Sequence, residues 1–484
     1  MTSQFSLIDW LMIVSLLIFF AYIGFRARAR SASVDEFLVM GRRLGPYWGV
    51  ATLAAAETGL VTFVYFAQES YLGGFAALML PIIGAAMMFF VGWNGFVVKK
   101  LRELEMRTVP EFLETHFSPG VRSIAGLATF VVGVLNMGIF LQVEATFLAI
   151  VMGIPQAQTL VFMAVLLIVV VAYTVLGGMY CVVLTDVVQF VMIVLSAGLT
   201  TWMVIRATGG WHNMAAAVSA NYGRAGFEFW KSPRYGTLFL SWTALYYLSG
   251  WSTWQPVVAR VLSMKDIHNA LKLFRVCSMF MFLRGAIPMI WGIGALVILG
   301  KTSDSTMSLA HALVKIMPSG IVGLACVGFV SATMSTFSSY LLAFSSILLQ
   351  DAIGPRLKRQ LTAAQRVRGV QGGVVLIGVF IYAWAALYHL PETVFRYITL
   401  TGSLSYAATM TVLVGGMFWK RASAGGAYWA FAGSAIPPVA CLAMPSISPT
   451  SAGLLSFLLA PIGLIVGSLI SGPTGKPARA VSQV

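Results

Sequence analysis

Thirteen apolar stretches of about 20 residues, each bounded by charge, glycine or proline, recur along this chain of 484 residues. They lie near 8–25, 46–67, 74–98, 122–152, 158–177, 182–206, 236–258, 275–300, 319–350, 368–389, 393–418, 426–444 and 452–471. Inside lipid a backbone has no water to satisfy its N–H and C=O groups, and a run of this length suits a helix crossing the hydrocarbon. The expectation is therefore an all-α polytopic membrane protein with about 13 transmembrane helices. Composition agrees: 59% of residues are hydrophobic, 10% are charged and mean hydropathy is +0.86, outside the range of a soluble globular domain. The first run has no basic segment before it and no small-residue cleavage site after it, so it is read as a retained helix and not a signal peptide.

A net charge of +15 would suggest a nucleic-acid partner in a soluble chain, but here the positive residues sort by loop. Of 31 Lys and Arg, 23 fall in the tail or in the loops after the first, third, seventh, ninth and eleventh runs, in clusters such as Arg26/Arg28/Arg30 and Arg356/Lys358/Arg359. Six (Arg206, Arg224, Lys231, Arg234, Lys301 and Lys315) lie on the other side, and Arg284 and Arg396 fall within or at the edge of runs. Because cytoplasmic loops hold the basic excess, the expected placement is a cell (inner or plasma) membrane with the amino terminus outside and the carboxyl terminus cytoplasmic. Cys181, Cys277, Cys326 and Cys441 all sit in apolar runs without paired spacing, which indicates neither a disulfide framework nor a metal site. Trp211–Arg234 and Lys99–Phe117 read as amphipathic connectors. Residues 1–484 are thus expected to form a single transmembrane domain, with no kinase or regulatory module and no nucleic-acid partner.

Three runs carry polar groups that lipid alone would not tolerate. In Ser331–Asp351 (SATMSTFSSYLLAFSSILLQD), Ala332, Ser335 and Ser339 share a helical stripe flanked by Thr336 and Ser338. Two readings stand: small residues that let helices approach closely, or hard oxygens for a small alkali cation. In Gly45–Phe63 (GPYWGVATLAAAETGLVTF), Gly45-Pro46, three alanines and Glu57-Thr58-Gly59 point to interrupted helix, and non-helical backbone at membrane depth is tolerated where it lines a cavity. In Tyr173–Gln189 (YTVLGGMYCVVLTDVVQ), a Gly-Gly turn leads into a helix holding Thr185, Asp186 and Gln189. Such a carboxylate is either a cap near the surface or the partner of a cation.

Together with Trp251–Asp266 (WSTWQPVVARVLSMKD) and Gly415–Arg421 (GGMFWKR), these segments resemble the sodium:solute symporter family of sodium/glucose and sodium/proline carriers, over most of residues 40–425. The resemblance implies the inverted-repeat fold of the bacterial leucine transporter: a five-plus-five core of ten helices at 46–418, one extra amino-terminal helix at 8–25 and two extra carboxyl-terminal helices at 426–471. No internal repeat is discernible in the sequence itself. The resemblance further implies a main sodium site made of the backbone carbonyls of Ala55, Thr58 and Ala332 with the hydroxyls of Ser335 and Thr336. A second sodium site, found in some members, would match Asp186, Ser338, Ser339 and Thr62. One further position of that site, usually a hydroxyl, is Gly59 here.

For the substrate, the sugar carriers' glutamine in the first core helix matches Thr62, and their acidic residue in the second core helix has no counterpart. A sugar is therefore less expected than a carboxylate-bearing solute such as an amino acid, a monocarboxylate or a vitamin acid. Arg284 lies nine residues past Arg275, about 13 Å along a helix and too deep to snorkel easily, and it suits bidentate recognition of a carboxylate. Glu144 has three readings: partner of Arg284, contact to a substrate amine, or proton carrier. Glu57 is expected to orient the break, support the sodium field or act as a ligand. Tyr246, Tyr247, Trp251 and Trp254 are either stacking or gating aromatics, or packing residues. Tyr247 and Trp251 join Arg284, Glu144 and Glu57 as the expected substrate-binding set. The reading is a sodium-coupled symporter, monomeric in the bilayer, working by alternating access. A solute sensor and a proton-coupled symporter are the alternatives, and an intramembrane enzyme is not expected, for want of a nucleophile with its base or a metal set at depth.

Overall fold

A helix in lipid must close its backbone hydrogen bonds within itself, so the few places where this chain fails to do so shape the architecture. The computed structural model describes residues 5–27, 44–104, 106, 108–357, 361–390, 392–444 and 446–472. Arg28, Arg30, Lys358, Arg359 and the basic tail residues lie outside them. Among the described residues the fold is all-helical: α1 (Leu7–Ala27), α2 (Pro46–Glu57), α3 (Leu60–Gly73), α4 (Met79–Asn94), α5 (Phe96–Glu103), α6 (Val109–His116), α7 (Pro119–Met152), α8 (Thr159–Thr208), α9 (Trp211–Tyr222), α10 (Thr237–Thr253), α11 (Gln255–Ser263), α12 (Ile267–Leu299), α13 (Ser308–Ile316), α14 (Ile321–Ile347), α15 (Ala363–Leu387), α16 (Val394–Phe418), α17 (Ala424–Ala443) and α18 (Pro449–Ser471).

Ten stretches of the described residues are long and apolar enough to cross a membrane. The count of thirteen is not fixed by these lengths. It is reached when the stretch Gln156–Thr208 is divided at its bend, Leu60–Asn94 is divided at its turn, and the broken helix α10–α11 is counted. The bend in α8 is Gly178, with φ 55 and ψ −155, a backbone state that side-chain-bearing residues rarely adopt. It falls between the expected runs 158–177 and 182–206.

Two helices are broken outright. Between α2 and α3, Thr58 (φ −111, ψ 60) and Gly59 (φ −69, ψ 159) leave helical geometry at the segment where the sequence predicts interruption. Between α10 and α11 the break is Trp254 (φ −67, ψ 116). Pro256 explains it, since proline has no N–H to give the carbonyl four residues back and its ring crowds the preceding turn. Sequence reasoning did not anticipate this second break.

The hydroxyl-bearing helix α14 lies at the centre, buried without interruption from Gly328 to Ile347 and packed by α1, α2, α3, α7, α8, α11 and α15. At its start the buried Asp9 of α1 accepts from the N–H groups of Gly320 (2.8 Å) and Gly323 (3.0 Å), so α1 caps α14 and satisfies donors a helix start leaves free. At the other end the buried Asp351 pairs with Arg122 at 2.8 Å. A short bridge ties the start of α2 to the end of α11, with Leu44 N–H donating to Ser263 O at 3.0 Å and Lys265 N–H to Leu44 O at 3.2 Å. The last two helices, α17 and α18, pack on each other and on α16. Arg260 corrects the charge count: it falls after run 236–258, among the loop cations, yet it lies inside α11 and is 1% exposed.

Candidate substrate and cation sites

Both breaks open onto one cavity, walled by Glu57 at the end of α2, Tyr65 of α3, Tyr246, Tyr247 and Trp251 of α10, Trp254 at the second break, Arg284 of α12 and Tyr340 of α14. Arg284 donates through Nη1 to the carbonyl of Glu57, which the break has released from helical bonding. The same nitrogen lies 3.9 Å from Glu57 Oε2, and the guanidinium sits 5.6 Å over the ring of Trp251. Trp251 is fixed in turn by its indole N–H, which donates to Gly84 O at 2.8 Å, and Tyr247 stacks on it at 5.9 Å and 15°. Glu57 is held by the hydroxyl of Tyr340, 3.3 Å from each oxygen, and Trp254 donates to that hydroxyl at 3.3 Å. Arg284, Glu57, Tyr247 and Trp251 are therefore brought together as expected. Among the described residues the hydrogen bond of Arg284 to protein is made by Nη1, which leaves further guanidinium donors facing the cavity.

Glu144 does not join them. It lies on α7, is 0% exposed, and accepts from Val61 N–H at 2.9 Å, so it caps the start of α3. The acid beside Arg284 is Glu57.

The hydroxyls of α14 divide between two polar clusters. Thr336 donates to Ala56 O at 3.0 Å, supplying the donor that the break took away. That puts its oxygen against Thr58 and Gly59, and an ideal Cβ on Gly59 would stand 2.7 Å from Thr336 Oγ1. Glycine at 59 is thus the residue that lets the hydroxyl reach the break. Ala55 and Ala332 are buried, and Ser335 donates to Asp186 Oδ1 at 2.5 Å while keeping lone pairs free. Five oxygens of this kind suit a small hard cation.

Asp186 anchors the second cluster. Besides Ser335 it accepts from Thr52 Oγ1, and its Oδ2 lies 3.2 Å from Arg260 Nη2. The same nitrogen donates to Ser339, and Arg260 Nη1 donates to Pro256 O at 3.0 Å. Asp186 and Ser339 are thus gathered as expected, but around a guanidinium. Ser338 turns to Ser335 O at 3.1 Å, and Thr62, buried on the first turn of α3, is not a hydrogen-bond partner of Asp186 among the described residues. Sequence reasoning missed Arg260 and Thr52. The signal was there in QPVVARVL, a charge isolated in an apolar helix after a proline.

Residues 37–433 match the sodium:solute symporter family. The chain belongs to this family. The sodium/glucose cotransporter of Vibrio parahaemolyticus is 25% identical over 428 residues, covering 82% of this chain and 77% of that protein. The sodium/sialic acid symporter SiaT of Proteus mirabilis (strain HI4320) is 22% identical over 501 residues, covering 99% and 97%. The solved structure of a Na+-coupled sialic acid symporter, substrate-bound and outward-open, superposes with a TM-score of 0.82 over 97% of this chain and 99% of that chain at 19% identity, which establishes the shared fold. A sodium:solute symporter is a membrane transporter that uses sodium as coupling ion, and its relatives are transporters, not enzymes.

Proposed function

We propose that this symporter imports a small carboxylate-bearing organic solute together with sodium, through a core at 46–418, with its amino terminus outside and its carboxyl terminus cytoplasmic. The observation that carries the solute class is Arg284, a guanidinium only 9% exposed that lines the aromatic cavity with most of its donors unspent. A planar donor fork suits a carboxylate. A relative that covers nearly the whole chain, SiaT of Proteus mirabilis, is a sodium/sialic acid symporter, which favours an acid. The presence of a glucose cotransporter among the relatives makes neutral sugars the competing class.

Sodium is assigned to the carbonyls of Ala55, Thr58 and Ala332 with the hydroxyls of Ser335 and Thr336. Support comes from the break at Thr58-Gly59 and from Thr336 lying against it. The basic excess in alternate loops supports the orientation. The test is a thermal-shift screen of carboxylates, sugars and polyols on purified protein in sodium and in choline, followed by uptake of hits into proteoliposomes. Carboxylates are expected to stabilise the protein only with sodium, and uptake should follow an inward sodium gradient. Stabilisation by neutral sugars alone would overturn the role given to Arg284. Uptake driven by a proton gradient without sodium would favour proton coupling, and ligand binding without uptake would favour a sensor.

A further inference from the structure

The wall of the aromatic cavity has two parts, and they offer a ligand different things. One is Arg284, whose guanidinium lies 5.6 Å over the ring of Trp251 with donors facing the cavity. The other is a corner of rings. Trp254 meets Tyr340 of α14 at 5.3 Å and 83°, and Tyr406 of α16 at 5.8 Å and 76°, while Tyr246 meets Tyr406 at 5.2 Å. Gly250 keeps this corner open, since an ideal Cβ there would stand 3.2 Å from Tyr406 Cε2.

The hydroxyls of the corner are spent within the protein. Tyr340 donates to both oxygens of Glu57 at 3.3 Å and accepts from the indole N–H of Trp254 at 3.3 Å, and Tyr246 and Tyr406 are hydrogen-bonded to each other. Asn136 of α7, on the same wall, accepts from Thr401 through Oδ1 at 2.7 Å. What the corner offers a ligand is therefore ring surface, next to the Glu57 carboxylate that Tyr340 holds. The face of an aromatic ring attracts a cation, and a methylated ammonium needs no hydrogen-bond acceptor. A primary ammonium brings three donors that want acceptors, and a sugar hydroxyl wants both donor and acceptor.

Charge balance agrees. Among the described residues the charged groups lining the cavity are Arg284 and Glu57, 3.9 Å apart. A solute carboxylate that engages Arg284 competes with Glu57 for its nearest cation, and a buried carboxylate that loses its partner is strongly unfavourable. A solute that carries a cation of its own restores the balance, whereas a simple acid does not.

We propose that the solute is a zwitterion with a methylated nitrogen: a betaine-type molecule whose carboxylate lies on Arg284 and whose quaternary ammonium fills the corner of Trp254, Tyr340 and Tyr406 beside Glu57. The inference rests on the carboxylate reading of Arg284 proposed above.

The test measures binding by calorimetry to the full-length purified protein in sodium. The probes are trimethylammonio-carboxylates with one, two or three methylenes between nitrogen and carboxylate. Each is compared with the isostere in which carbon replaces nitrogen and with the unmethylated amino acid of the same length. At least one betaine is expected to bind on the order of tenfold to a hundredfold more tightly than both of its counterparts. Carbon isosteres that bind as tightly as their betaines would overturn the cation site and leave the carboxylate reading standing. Unmethylated amino acids that bind more tightly would overturn the methylated class. Failure of every carboxylate to bind would instead overturn the role of Arg284. Tyr406→Leu removes one ring and should weaken betaine binding several-fold without weakening that of the isostere, and Tyr406→Phe should bind the betaine as the wild type does. Equal losses for betaine and isostere in Tyr406→Leu would overturn the corner as the ammonium site. If that variant does not fold, the wild-type probe series decides.

Discussion

Removing Arg260 strands the carboxylate of Asp186 in a place where water cannot reach it. Asp186 is 0% exposed and Arg260 is 1% exposed, so the 3.2 Å pair is buried on both sides. Breaking such a pair by deleting one partner costs about 3–5 kcal/mol, whereas replacing both partners is far cheaper. Arg260→Gln should therefore lower the thermal midpoint of purified protein sharply in choline. Sodium is the natural replacement cation, because Ser335, Thr52 and Ser339 already converge on the site. A ligand at a hundred times its Kd returns about 2.7 kcal/mol, so sodium should restore most of the loss and stabilise Arg260→Gln more than it stabilises the wild type. Asp186→Asn should show no such excess sodium effect, having lost the charge that attracts the ion. The double variant should lie closer to the wild type than either single variant. Equal destabilisation of Arg260→Gln in sodium and in choline, or losses that simply add in the double variant, would refute the view of Arg260 as an internal counter-cation.

Gly59→Ala should abolish stabilisation by sodium while leaving the protein folded, because the added Cβ meets Thr336 Oγ1 at 2.7 Å; calorimetric sodium binding checks it. Arg284→Lys, which keeps charge but loses the planar fork, should weaken binding of a carboxylate solute roughly tenfold or more without shifting sodium affinity in the absence of solute. Gly178→Ala should cost on the order of 1–3 kcal/mol, since φ 55 with ψ −155 is strained for alanine, and a thermal midpoint in sodium reads it directly.

Hydropathy alone conveyed the helical class, because a run long enough to span lipid announces itself without any partner. The first break was legible too, since Gly45-Pro46 and Glu57-Thr58-Gly59 interrupt an apolar run with residues that release backbone. The second break was overlooked although Pro256 marks it, because the flanking aromatics drew the reading toward stacking. Partners were harder. Arg284 was identified as deep from its distance to Arg275, but which acid it met depended on helix rotation, and Glu57 and Glu144 were equally available in one dimension. Arg260 was lost for a different reason. A cation shortly after an apolar run reads as a loop charge, and only the fold of α11 back into the core buries it. The rotation of α14 likewise decided that Ser339 meets Arg260 while Ser338 turns to its own backbone.

The proposed coupling follows from how few residues separate the two sites. Glu57, which orients Arg284 in the cavity, is the last residue of α2, and Thr58 and Gly59 of the cation site follow directly. On the other wall, Thr336 and Tyr340 stand one turn apart on α14, the first bonded to the break and the second to Glu57. A cation that draws the break and α14 together therefore fixes the carbonyl and carboxylate that hold Arg284 in place. A solute that engages Arg284 loads the same two segments from the other side. The linkage is reciprocal: whatever factor sodium adds to solute affinity, solute must add to sodium affinity. α14 is itself held at its start by Asp9 of α1 and at Ser339 by Arg260 of α11.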